Sequence, residues 1–217
     1  MTIKERFGRT IEYFLINQPV AETELTYSDP FELIVAVILS AQCTDKRVNI
    51  ITPPLLARYP DAGSMAKAKQ EDIFEYIKSC SYPNNKAKHL SGMARMLVTE
   101  FGGIVPSEPR LLQKLPGVGR KTAHVVASVI FKRPVMAVDT HVFRVSNRIG
   151  LARNAKTPLE VENQLSRHIK PDLILLAHHW LILHGRYVCK ARKPLCGQCG
   201  INDFCKYFKE NKNYRIL

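Results

Sequence analysis

No apolar run in this chain of 217 residues is longer than the seven from Leu33 to Leu39. A helix that crosses a bilayer needs roughly 20 such residues, so a transmembrane segment is excluded. The opening residues, MTIKERFGRTIEYF, lack the apolar stretch of a signal peptide, and the expected compartment is the cytosol. Acidic residues are scarce: 19 Asp and Glu stand against 32 Lys and Arg, a formal net charge of +13. Low-complexity tracts and repeats of 20–50 residues are missing, which excludes solenoids and arrays. Alternating apolar and polar strands are missing too, and no Asn-Gly or Asp-Gly turn joins two such runs.

What is there is globular. The composition is 46% hydrophobic and 24% charged, inside the ordinary range for a folded domain. A chain of this length buries roughly 70% of its unfolded surface and needs no disulfide scaffold. The positive charge is scattered and forms no detached tail. That pattern suits a folded surface that meets a polyanion, with nucleic acid first among the candidates, against the plainer alternative of a basic soluble protein.

The periodicity is helical nearly everywhere. Ile3, Phe7, Ile11, Phe14 and Leu15 form one face of a first helix that Pro19 stops. Asp29-Pro30-Phe31-Glu32 reads as a helix start, and the segment after it is apolar all round, as in a buried central helix. Further helices are expected over about 44–51, where Thr52-Pro53-Pro54 ends the run, and over 70–79, 85–101, 108–114 and 119–131. Others run from Asp139 or Thr140 to Gly150, from Thr157-Pro158-Leu159-Glu160 onward, and from Asp172 to His184 with Gly185 as the stop. The expected fold is all-α, with nine or ten short helices and a boundary at Lys132-Arg133-Pro134.

Two stretches carry chemistry. In Leu115-Pro116-Gly117-Val118-Gly119-Arg120-Lys121, two glycines flank one apolar residue between two helices. Outward amides over 117–120 at a helix start, with the cations of Arg120 and Lys121, suit a phosphate; a plain tight turn is the alternative. The second stretch is Cys189-x6-Cys196-x2-Cys199-x5-Cys205. In the cytosol a dense cysteine group more often binds metal than forms disulfides. Zinc and an iron–sulfur cluster both remain open, and the wide outer gaps suit the larger cube somewhat better.

These two stretches, with Leu39-Ser40-Ala41-Gln42, Val138-Asp139-Thr140-His141-Val142-Phe143-Arg144 and His179-Trp180-Leu181-Ile182-Leu183-His184-Gly185-Arg186-Tyr187, occur in an order that resembles the endonuclease III family of DNA repair enzymes. The resemblance runs from about residue 10 to 208. It implies two α-helical domains flanking a DNA-binding cleft, with a helix-hairpin-helix motif and a C-terminal [4Fe–4S] loop. One domain would span 22–133; the other would join 1–21 to 134–217.

The resemblance also implies a DNA glycosylase and abasic-site lyase. Its partner would be double-stranded DNA with damaged pyrimidines or abasic sites. It would act as a monomer in the cytoplasm, on a bacterial nucleoid. Lys121 falls on the family's catalytic lysine and Asp139 on its catalytic aspartate. Gln42 and Tyr82 fall on residues that enter the duplex. Gly117, Gly119, Arg120, His141 and Arg144 fall near the DNA strand, and Cys189, Cys196, Cys199 and Cys205 on the cluster ligands. Ser81-Tyr82-Pro83 replaces the family's common Gly-apolar-Tyr stretch, and His124 stands where Asn is common. A lysine at 121 separates this pattern from the monofunctional adenine-mispair relatives, and a non-enzymatic DNA-binding scaffold remains the other alternative.

Overall fold

The computed structural model describes residues 1–211. Among them lie twelve α-helices and no strand. In chain order they are α1 (Ile3–Asn17), α2 (Pro30–Ser40), α3 (Asp45–Arg58), α4 (Ala62–Ala66), α5 (Gln70–Ile77), α6 (Pro83–Phe101), α7 (Pro109–Leu112), α8 (Arg120–Val129), α9 (Thr140–Ile149), α10 (Pro158–His168), α11 (Ile174–Tyr187) and α12 (Lys206–Glu210). The chain divides into two compact units. One runs from Thr23 to Arg133; the other joins Met1–Glu22 to the chain from Pro134 onward. No helix among the described residues is long and apolar enough to cross a membrane.

The unit from Thr23 to Arg133 is organised around α2. Asp29 caps that helix by accepting from the Glu32 amide at 2.8 Å, and Glu32 reaches back to the Ser28 amide at 2.6 Å. All residues from Leu33 to Leu39 are buried, and the helix packs on α3, α6 and α8. A helix surrounded in this way has no polar face to give up, which explains its unbroken apolar run.

The helix expected to stop before Thr52 instead continues through Pro53 and Pro54 to Arg58. Each proline removes an amide donor and crowds the carbonyl four residues back. Both prolines lie on the exposed side, while Val48, Ile51, Thr52, Leu55 and Leu56 are buried on the other. Packing of that face holds the helical path where local propensity would break it.

The second unit is held by α1, which comes from the far end of the chain. Phe14 stacks on Trp180 with ring centroids 5.6 Å apart and meets His184 edge-on. The Trp180 indole donates to the Gln18 carbonyl at 2.7 Å, so its buried N–H is satisfied. Arg6 donates to the carbonyls of Ile149 and Phe204, both at 2.6 Å, and so ties α1 to the end of α9 and to the C-terminal loop.

Gly185 does not end a helix. It lies inside α11, where a Cβ would come 2.9 Å from the Cβ of His141 on α9. Here glycine marks the close approach of two helices. The substitution Gly185→Ala is expected to overpack this crossing. Chemical denaturation should report a loss of about 1–3 kcal/mol, although alanine is the better helix former.

Candidate functional site

The turn between α7 and α8 is fixed from below. Leu112, Leu115 and Val118 are buried, and the Val118 amide donates to the Leu115 carbonyl at 3.0 Å. Of the amides over 117–120 expected to face outward, that of Val118 therefore closes the turn instead. Gly117 has φ +79°, and a Cβ there would lie 2.8 Å from the Cβ of His89 on α6. Both the backbone angle and the contact demand glycine.

Gly119 differs. Its φ is −81°, and nothing lies within 4 Å of where its Cβ would be. It caps α8 without any side chain. Gly119 thus offers the first amides of α8 no side-chain acceptor of its own, at the positive end of the helix dipole. Arg120 and Lys121 are exposed on this first turn, whereas His124, one turn further on, is buried. The arrangement is that of an anion site built from backbone.

At the end of α2, two loops distant in sequence come together. Gln42 and Tyr82 are both exposed and both left-handed, with φ of 53° and 52°. The Ser81 hydroxyl donates to the Gln42 carbonyl at 2.7 Å. Beneath them lies Lys86, 5% exposed, on the apolar face of α6 with Ala87 and Leu90. Its ammonium donates to the carbonyls of Leu39 (2.8 Å) and Ala41 (2.7 Å) and to the Ser81 hydroxyl (3.1 Å). Burial pushes the Lys86 amine below its ordinary pKa, and the neighbouring Cys80 and Cys43 thiols oppose that shift. Sequence reasoning missed Lys86. The available signal was a lysine in register with the apolar positions 87, 90, 94 and 97.

In the other unit, half-buried Asp139 caps α9, and its carboxylate accepts from the Val142 amide at 2.7 Å. Arg144 turns inward. It donates to the carbonyls of Gly185 (2.8 Å) and Cys189 (3.1 Å), and it lies 3.2 Å from His141 Nδ1. Burial holds this guanidinium below its usual pKa. One turn on, Arg148 donates to the carbonyls of Lys190 (2.7 Å) and Ala191 (3.0 Å) and points at Cys189 Sγ at 3.6 Å. The two arginines of α9 thus grip the start of the cysteine-bearing segment.

Cys189, Cys196, Cys199 and Cys205 line one pocket with Ile149, His184 and Ile201. Among the described residues no three His, Cys, Asp or Glu side chains are gathered for a single metal ion. Four cysteine sulfurs around one cavity are a donor set that fits an iron–sulfur cluster. Burial raises the Cys199 thiol to about 11 and lifts Cys196 and Cys205 as well. The Cys199 sulfur lies 3.7 Å from His184, whose own pKa burial lowers to about 4. These four residues would hold an iron–sulfur cluster as thiolates.

Comparison with known proteins gives concordant results. Residues 35–171 match the HhH-GPD superfamily of base excision DNA repair proteins. Residues 189–205 match the iron-sulfur binding domain of endonuclease III. The chain is 49% identical to endonuclease III of Rickettsia conorii over 201 residues, which is 93% of this chain and 95% of that protein. It is 45% identical to endonuclease III of Escherichia coli over 191 residues, 88% of this chain and 90% of the relative. Among solved structures, a trapped endonuclease III–DNA covalent intermediate matches with a TM-score of 0.92 and 40% identity. That match covers 97% of this chain and 99% of the other.

The two glycines of the α7–α8 turn should respond differently to the same change. Gly117→Ala meets both a left-handed φ and His89, and should lower stability by about 1–3 kcal/mol and weaken binding to undamaged duplex. Gly119→Ala meets neither and should fold within about 0.5 kcal/mol of the parent. Thermal melts and fluorescence anisotropy on one short duplex check both.

Proposed function

Because the chain belongs to the endonuclease III family within the HhH-GPD superfamily, we propose that Lys121 is the nucleophile and that Asp139 stabilises charge on the sugar or relays a proton in the removal of oxidised pyrimidines from DNA. The protein is a base-excision-repair DNA glycosylase with abasic-site lyase activity. The observation that carries the assignment of roles is local: Lys121 is exposed in the first turn of a helix whose N-cap, Gly119, has no side chain. One structural element then supplies both the phosphate anchor and the attacking amine.

The chemistry follows from the residue types. The target base is stacked inside a duplex, so its nucleotide is flipped out at a cost of a few kcal/mol. Gln42 offers an amide donor and acceptor to the base left opposite, and Tyr82 stacks on a neighbouring base, worth roughly 1–3 kcal/mol. The Lys121 amine bonds to C1′ as the bond from C1′ to the base breaks. Loss of a proton from the amine and opening of the C1′–O4′ bond, with O4′ taking up a proton, then give the Schiff base, which acidifies the C2′ proton. Loss of that proton breaks the bond from C3′ to its phosphate oxygen, and water then releases the lysine. Attack needs the neutral amine, and a helix dipole contributes only about 0.3–1 kcal/mol. Closure of DNA over the exposed side chain supplies the remaining desolvation. Asp139 stabilises the positive charge that grows on the sugar, or relays a proton, while it continues to cap α9. Cys189, Cys196, Cys199 and Cys205 would hold the cluster, which would cross-link the C-terminal loop. The protein works in the cytoplasm, on nucleoid DNA.

Two variants test the division of roles. Lys121→Gln should abolish strand cleavage on damaged and on abasic duplex alike. Asp139→Asn should slow base release yet recover most of its deficit on DNA that already has an abasic site. Both should bind abasic duplex within about tenfold of the parent, or 1.4 kcal/mol. Normal cleavage by Lys121→Gln contradicts the assignment. So does an Asp139→Asn variant that is equally slow on both substrates with its helicity and cluster absorbance intact.

A further inference from the structure

We propose that Lys86 is a positioning residue that couples Gln42 and Tyr82, so that the two side chains enter the duplex as one unit. The proposal rests on the reading of those two residues as the ones that enter DNA. Gln42 and Tyr82 are 40 positions apart in sequence, on separate loops. Each is exposed, and each has a left-handed backbone that a side chain other than glycine rarely adopts.

The residue just before each is held by the same ammonium. Lys86 donates to the carbonyl of Ala41 at 2.7 Å and to the hydroxyl of Ser81 at 3.1 Å. The Ser81 hydroxyl completes the bridge by donating to the Gln42 carbonyl at 2.7 Å. A third bond from Lys86, to the Leu39 carbonyl at 2.8 Å, anchors the bridge in the last turn of α2. There the helix dipole favours a cation.

A buried ammonium is costly, and surface loops seldom need one. A methylene chain with no charge would fill the same space in α6. What the charge adds is a shared donor for three oxygens on two loops, and this makes displacement of one loop a displacement of both. The Pro83 ring at the start of α6 further limits how Tyr82 can move alone. Insertion of Gln42 into the gap and of Tyr82 against a neighbouring base are then a single event.

The test is a double-mutant cycle on the full-length, cluster-loaded protein. The probe is a duplex that carries a tetrahydrofuran abasic analogue opposite 2-aminopurine, which cannot react with an amine. Affinity is read by anisotropy, and unstacking of the opposite base by 2-aminopurine emission. In the parent, Gln42→Ala and Tyr82→Ala should be non-additive by about tenfold. In Lys86→Met and in Ser81→Ala that coupling should fall to within about twofold, while binding of undamaged duplex and its salt dependence stay unchanged. Ser81→Thr, which keeps the hydroxyl, should restore coupling.

Coupling that survives in both Lys86→Met and Ser81→Ala overturns the proposal, as does an additive cycle in the parent. Should Lys86→Met fail to fold, the Ser81→Ala cycle decides alone. A parent in which Gln42→Ala and Tyr82→Ala each leave affinity and emission unchanged removes the reading on which the proposal rests, and the proposal with it. That outcome differs from uncoupled but individually damaging substitutions.

Discussion

An α-helix begins with amides that none of its own carbonyls can accept from, and in this chain the start of α8 is left uncapped at Gly119. Most of the surrounding packing serves to keep it so. The left-handed Gly117 lies against His89, Pro116 lies against Gly92, and Val118 plugs the space below. The first two contacts fix the loop from the α6 side. Residues 123–129 of α8 are buried, so the helix cannot tilt to hide its first turn. Lys121 sits in that turn.

The other unit solves a different problem, which is how to fix a loop with little regular structure. Arg144 and Arg148, one turn apart on α9, donate to four carbonyls at and beyond the end of α11. Arg6 does the same at the far side of the loop. Guanidinium groups suit this task because their charge never leaves and their donors are fixed in a plane. These hydrogen bonds hold in register the segment that carries the four cysteines. Arg144, on the family's DNA-facing positions by resemblance, makes its recorded contacts inside the protein.

Much of the helical outline is legible locally. Asp29, Thr157 and Asp139 cap the helices they announce, since a cap needs only neighbours three residues away. The apolar run at 33–39 is a buried central helix for the same reason that it reads as one. The exceptions are all tertiary. Pro53 and Pro54 break a helix unless the opposite face is buried. Gly185 reads as a stop until α9 is laid across it. The Val118 amide is free in a list of residues and bonded in a folded turn. Lys86 looks like one more surface cation in a chain with 32 Lys and Arg, and only the carbonyls at the end of α2 give it a purpose. Twelve helices against an expected nine or ten follow the same logic: α4 and α12 have five residues each, too short for periodicity to register.

The account stands or falls on which atom attacks the sugar. Borohydride reduction of the protein on duplex with a single oxidised pyrimidine, followed by proteolysis and mass spectrometry of the adduct, locates that atom. The account predicts one modified peptide, with the reduced sugar on the Lys121 side chain. An adduct on the N-terminal amine or on another lysine, or strand cleavage with no adduct at all, contradicts it.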